Sequence, residues 1–231
     1  MAKTLGLIGG TGPESTIEYY RLLTSKYRER ADGNSPPLII NSVNLKSMIE
    51  WMNAGEYTKV ADNLVVEIEK LRRAGADIAA LTANTAHIVF DEVQQRSQLP
   101  LISMVEAACD RAEELGLKSA GLFGTRFTMQ GPFYPNVFAR SDVKLVLPNA
   151  EEQDYIHGIY LGELLKDVFL PETRAKILAI ADTMKARDGI EAVILAGTEL
   201  PLLVRDEEHN GLLLLDTTRI HVDRLIAEMF S

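Results

Sequence analysis

Arg73-Ala74-Gly75-Ala76-Asp77-Ile78-Ala79-Ala80-Leu81 and Arg187-Asp188-Gly189-Ile190-Glu191-Ala192-Val193-Ile194-Leu195 follow one pattern. Each has a basic residue, then a glycine, an acidic residue and a short apolar run. Gly75 and Gly189 stand 114 positions apart. Each suits the residue just past a helix end, where glycine takes the left-handed conformation without a Cβ penalty. The apolar runs that follow are too short for helices and lack the alternation of a half-exposed strand. They read as strands buried on both faces.

Working outward, similar runs recur at Thr4–Ile8, Pro37–Ile40, Leu99–Met104, Ser119–Phe123, Lys144–Leu147 and Leu212–Leu215. Helical patterns lie between them, at Thr16–Arg30, Tyr57–Ala74, Glu106–Leu115, Glu172–Arg187 and Thr218–Phe230. This alternation predicts βαβ units and parallel strands. The echo also extends. Gly6-Leu7-Ile8-Gly9 resembles Gly121-Leu122-Phe123-Gly124 at a spacing of 115, and Pro100-Leu101-Ile102-Ser103 precedes a helix as Leu213-Leu214-Leu215-Asp216 does. The expectation is a duplicated α/β chain with two pseudo-symmetric lobes, each a mostly parallel sheet flanked by helices. Residues 1–98 with 211–231 would form one lobe and 99–210 the other. Equivalent loops would face one another across an active-site cleft, a usual place for a small ligand. The final helix would pack back on the first lobe.

Composition narrows the partners. The 231 residues are 46% apolar and 25% charged, with a net charge of −9. A chain this acidic is a poor match for nucleic acid over a broad face, though a local basic pocket for a small acid is compatible with it. The single cysteine, Cys109, cannot form an internal disulfide, so nothing argues for secretion. Met1-Ala2-Lys3-Thr4 runs directly into a strand-like stretch without the apolar core or cleavage site of a signal peptide. No run approaches about 18 apolar residues, so no membrane span is expected. These features predict a cytoplasmic protein with neither a nucleic-acid nor a membrane partner.

Ligands of parallel sheets bind beyond the carboxyl ends of strands, and four such ends stand out. Gly9-Gly10-Thr11-Gly12-Pro13-Glu14-Ser15-Thr16 links a strand to a helix and lets backbone approach a carboxylate closely. It is neither a dinucleotide fingerprint nor a P-loop, and it reads equally as a Gly-Pro turn with Ser15 or Thr16 capping the helix. In Thr82-Ala83-Asn84-Thr85-Ala86-His87, Asn84 and Thr85 could cap the next helix or offer an amide and a hydroxyl to a ligand. His87 could be a base or a structural histidine. Gly124-Thr125-Arg126-Phe127-Thr128-Met129 echoes the first loop, and Thr125 and Thr128 suit a carboxylate. Ala196-Gly197-Thr198-Glu199 echoes the second, with Glu199 as a base, a partner for an amino group or a helix-start carboxylate.

At these loops the chain resembles the aspartate/glutamate racemase family. Gly9 to Thr16 with Tyr19-Tyr20 is similar to that family's opening signature. Asn84-Thr85-Ala86-His87 resembles its Cys-Asn-Thr-x-His loop, and Thr198-Glu199 the end of its Gly-Cys-Thr-Glu loop. Gly124 to Met129 and Asp216-Thr217 match as well. The resemblance implies two α/β lobes, no cofactor and no metal, a homodimer, and a small amino acid or dicarboxylate as ligand. It assigns Gly10, Thr11, Asn84, Thr85, Thr125, Thr128 and Thr198 to substrate binding. In that family two cysteines face each other across the substrate α-carbon, one removing its proton and the other supplying one to the opposite face. Racemisation needs a proton carrier on each face and stabilisation of a carbanion-like transition state.

Here the two cysteine slots hold Ala83 and Gly197, neither of which can carry a proton. Cys109 lies mid-helix and reads as a packing residue. Lys46 and Lys166 match the family's basic residues by position only. The groups left beside the slots are Thr82, His87, Thr198 and Glu199, of which His87 and Glu199 are the better bases. Three accounts stay open: a natural cysteine-free branch with altered chemistry, a binding protein that retains the pocket, and a racemase with engineered substitutions.

Overall fold

The computed structural model describes residues 2–231. The chain divides into two compact units, one running to Met104 and including His221–Ser231, the other Val105–Ile220. The first unit contains β1 (Leu5–Gly9), α1 (Pro13–Arg30), β2 (Leu38–Ser42), α2 (Leu45–Asn53), α3 (Tyr57–Arg73) and β3 (Ile78–Leu81). A 3-10 turn, Thr85–Val89, leads to α4 (Phe90–Arg96) and β4 (Leu101–Ile102). Helix α5 (Met104–Glu114) opens the second unit, followed by β5 (Ser119–Gly124), α6 (Arg126–Gln130), α7 (Phe133–Phe138), β6 (Lys144–Val146) and α8 (Ala150–Gly162). Then come α9 (Pro171–Asp188), β7 (Ala192–Ala196), α10 (Leu200–Leu203), β8 (Glu208–His209), β9 (Leu212–Asp216) and α11 (Thr217–Met229).

The first sheet has order β2-β1-β3-β4 and the second β6-β5-β7-β9-β8. All pairs are parallel except β8 with β9. The two four-strand orders are therefore the same, and so are their registers. Gly6 lies opposite Ala79, and Gly121 opposite Val193. Counting onward makes Thr82 equivalent to Ala196, Ala83 to Gly197 and Asn84 to Thr198. This is the duplication expected from sequence, now at the level of individual residues.

Every residue of β1, β3 and β7 is buried, as expected for parallel strands covered by helices on both faces. Gly189 ends α9 in the left-handed conformation with φ 68°, and Gly75, just past α3, has φ 98°. In the first core Leu5, Leu7, Tyr19, Leu23 and Ile78 pack with Val222, Leu225 and Met229 of the final helix. In the second, Phe123, Ile156, Tyr160, Ile177, Met184, Val193 and Leu195 form the equivalent cluster. Each such side chain contributes about 1.5–3 kcal/mol on burial.

The expected division at residues 98 and 211 differs from that observed. Strand β4 pairs with β3 and so stays with the first unit, while β9 pairs with β7 and stays with the second. Hydrogen-bonded strands cannot be separated from their sheet by a boundary drawn in sequence. Helices α2 and α8 were absent from the expected pattern. Both start at asparagine caps, with Asn44 accepting from the Lys46 and Ser47 amides and Asn149 forming a capping box with Glu152. Among the described residues no helix is long and apolar enough to cross a membrane.

Candidate functional site

After β1 the backbone turns at Gly10, whose φ is 83°. A Cβ there would lie 2.3 Å from Ser42 Oγ and 2.7 Å from the Val43 carbonyl, so only glycine lets these chains approach. The Gly10 amide donates to Thr16 Oγ1 at 2.9 Å, and that hydroxyl donates to the Gly12 carbonyl at 3.2 Å. Helix α1 begins at Pro13 with Gly12 as N-cap and no side-chain cap bond. The alternative that Ser15 or Thr16 caps the helix is thus not what forms; Thr16 holds the glycine loop instead. Gly10 and Thr11 are both partly accessible.

At the end of β3 the Thr82 hydroxyl donates to the Ile8 carbonyl at 2.9 Å, tying β3 to β1. Asn84, expected as a possible helix cap, makes no side-chain cap bond, because the chain tightens into a 3-10 turn with the His87 amide bonded to the Asn84 carbonyl at 2.9 Å. Thr82 and Asn84 are buried, and Ala83 and Thr85 half-buried. His87 Nδ1 lies 3.0 Å from the Ala83 carbonyl and Nε2 accepts from the Met104 amide at 3.1 Å. A carbonyl only accepts, so Nδ1 carries the ring proton. Burial lowers the His87 pKa to about 4, against the bonds to Ala83 and Asn84. Both ring nitrogens are thereby committed to main chain, Nδ1 to the turn that presents Ala83 and Nε2 to the start of α5.

A second buried histidine, on α11, belongs to the same unit. His221 Nε2 donates to the Ile102 carbonyl at 3.0 Å, and Nδ1 accepts from the Tyr19 hydroxyl at 2.8 Å. Its pKa falls to about 3, mainly through burial and secondarily through His87. Neither His221 nor its partner Tyr19 stood out in the sequence as a polar pair, since 202 residues separate them.

In the second unit, Thr125 caps α6 by accepting from the Thr128 amide at 3.3 Å, and the two hydroxyls are 3.2 Å apart. Arg126 is exposed and ion-paired with Asp154 at 2.8 Å. At the end of β7, Thr198 donates to Glu199 Oε2 at 3.1 Å, and Tyr160 of α8 donates to the same oxygen. Glu199 is the N-cap residue of α10, yet its side chain makes no cap bond. Burial, together with the adjacent carboxylate, pushes the Tyr160 phenol well above its ordinary value of 10. Tyr160 is 4% exposed and Glu199 3%. Tyr160 is the residue that reading the sequence missed. The Asn149-x-x-Glu152 capping box is the signal that could have marked its helix, which the expected pattern lacked, but nothing in the spacing places its ring against a turn 39 residues away.

Cys109 is buried within α5, and burial raises its thiol pKa. Lys46 is exposed on α2, 3.8 Å from Glu50, and Lys166 is exposed too. The structure thus groups Gly10, Thr11, Thr82, Ala83, Asn84 and Thr85 at the carboxyl end of one sheet. It groups Thr125, Thr128, Gly197, Thr198 and Glu199 at the equivalent end of the other.

Two α/β units of one strand order, with glycine and threonine turns at matching strand ends, are the arrangement that the resemblance to the aspartate/glutamate racemases implies. A family model described as Asp/Glu/hydantoin racemase matches residues 8–225, and the chain belongs to that family. An aspartate racemase homologue from Pyrococcus horikoshii OT3 is 32% identical with a TM-score of 0.83, the match covering 99% of this chain and 100% of that one. A Yersinia pestis protein crystallised as a candidate Asp/Glu racemase is 27% identical with a TM-score of 0.89, covering 99% and 100%. The broad specificity amino-acid racemase RacX of Bacillus subtilis is 27% identical over 140 residues, which is 58% of this chain and 59% of that relative.

Proposed function

We propose that this chain binds a small amino acid, with an acidic one as the best match, and works at its α-carbon without a cofactor and without paired thiols. One observation carries the reading: Ala83 and Gly197 occupy register-equivalent strand ends, and neither bears a proton-transferring group. The main-chain and hydroxyl donors of Gly10, Thr11, Asn84, Thr85, Thr125, Thr128 and Thr198 are assigned to the ligand's carboxylates. Glu199 is assigned the role of base on its side, because a carboxylate is a competent base near neutral pH whereas a threonine hydroxyl is not. His87 is assigned a positioning role, as the brace of the Ala83–Asn84 turn, and Thr82 holds that turn to β1.

With a base on one face only, an α-proton is removed and returned on the same side. That gives exchange but not efficient racemisation. The other one-sided outcomes are elimination, in which a β-substituent leaves once the proton is removed, and decarboxylation, in which CO₂ leaves and the protonated base then delivers a proton to the α-carbon. The test is proton exchange at the α-carbon in D₂O with aspartate, glutamate and neutral amino acids, followed by NMR and chiral analysis. Exchange with retained configuration is the expected result; no exchange across the panel overturns the enzymatic reading. A second reading draws on the same observation: a protein that holds the amino acid without turning it over. A ligand-dependent rise in Tm without exchange would select it. The family likeness also motivates a homodimer as a proposal, to be checked by sedimentation.

A further inference from the structure

The two positions that the family resemblance gives to cysteines, 83 and 197, differ in the space around them. The φ of Gly197 is not in the left-handed region, so its backbone is one that any residue adopts. The space around it is not. A Cβ on Gly197 would lie 2.5 Å from Tyr160 Cε2, 2.7 Å from its hydroxyl oxygen and 2.9 Å from Cζ. Contacts this short force either the ring or the strand end to move. The ring is held on both sides. It belongs to the second core with Ile156, Ile159 and Leu195, and its hydroxyl is bonded to Glu199. Position 83, by contrast, carries a Cβ already and is half-buried.

We propose that Tyr160, clamped by Glu199, fills the side-chain space of residue 197 and thereby bars a proton-carrying side chain from the second slot. The tyrosine is then the residue that fixes this chain as a one-sided member of its family. A single substitution to cysteine is accommodated at 83 but not at 197. The steric part stands on the geometry alone; the consequence for the reaction rests on the ligand reading above.

The experiment is a double-mutant cycle read by thermal unfolding of the full chain. Gly197→Ala and Gly197→Cys are made alone and in combination with Tyr160→Ala and Tyr160→Phe. Overpacking predicts that either substitution at 197 lowers Tm by roughly 5 °C or more in the wild-type background. In the Tyr160→Ala background the same substitutions should add little further loss, because the obstructing ring is gone. In the Tyr160→Phe background the loss should persist, since Cε2 and Cζ remain. Should Gly197→Cys prove too unstable to purify, Gly197→Ala supplies the same comparison with a single added carbon. A Tm unchanged by Gly197→Ala with Tyr160 intact would overturn the steric claim. For the consequence, Ala83→Cys/Gly197→Cys/Tyr160→Ala should interconvert aspartate or glutamate enantiomers at least tenfold faster than Ala83→Cys/Gly197→Cys. Equal rates alongside an intact steric cycle would overturn the role of Tyr160 in setting the reaction. Because the cycle reads unfolding and not turnover, its outcome is separate from the fate of the ligand reading.

Discussion

At the end of β3 the turn through Ala83 is braced by a neutral histidine whose two nitrogens both bond main chain. At the equivalent end of β7 the turn through Gly197 is braced by a phenol and a carboxylate bonded to each other. The strand ends share register, yet their polar supports have opposite acid–base character. One support must stay uncharged to remain bonded as it is; the other places a carboxylate beside a phenol that resists ionisation. Duplicated backbone therefore conserves where a side chain starts, while the neighbours contributed by other helices decide what it meets. The same absence of a thiol goes with a half-buried alanine at 83 and with a filled volume at 197.

This contrast can be broken most forcefully with acid. His87 and His221 have folded-state pKa values of about 4 and about 3, below the ordinary value near 6.5. The unfolded chain binds these protons first, so their contribution is whole above about pH 6.5 and erodes as pH falls toward 4. The slope is about 1.4 kcal/mol per pH unit for each histidine. Denaturant titrations between pH 7 and 4 should show it, and His87→Gln should remove about half of it. A flat profile would mean these rings are not buried neutral.

Removing Tyr160 probes the other support. Tyr160→Ala deletes a buried aromatic and leaves Glu199 without its phenol donor, with an expected loss of about 3–5 kcal/mol in chemical unfolding. Tyr160→Phe isolates the hydroxyl and should cost about 1–3 kcal/mol, the penalty of a buried acceptor losing a partner. A neutral result for Tyr160→Phe would show that the carboxylate finds another donor. The smallest effect is expected at β3. Ala83→Cys adds one atom at a half-buried position and should change stability by no more than about 0.5 kcal/mol. A large loss there would erase the contrast between the two strand ends.

Much of this architecture was legible in the order of residues. The spacing between Gly75 and Gly189 marked the duplication, because helix ends and buried strands are local features with local residue requirements. Among the candidate positions, Thr125, read from the sequence only as a group suited to a carboxylate, caps α6. Others took different partners: Thr16 turned to Gly10 rather than to a helix start, and Glu199 to Tyr160 rather than to the α10 amides. The lobe boundaries moved because strand pairing, not sequence position, assigns β4 and β9.

From its sequence alone this protein has its α/β alternation, its repeat, its family and the absence of thiols at positions 83 and 197. Those depend on residue identity and short spacing. Tertiary structure alone settled that the ring of Tyr160 stands where a residue-197 side chain would be, and that Tyr19 and His221 share a hydrogen bond across 202 residues. Such contacts come from packing of elements far apart in the chain, and no local pattern encodes which side chain will reach which space.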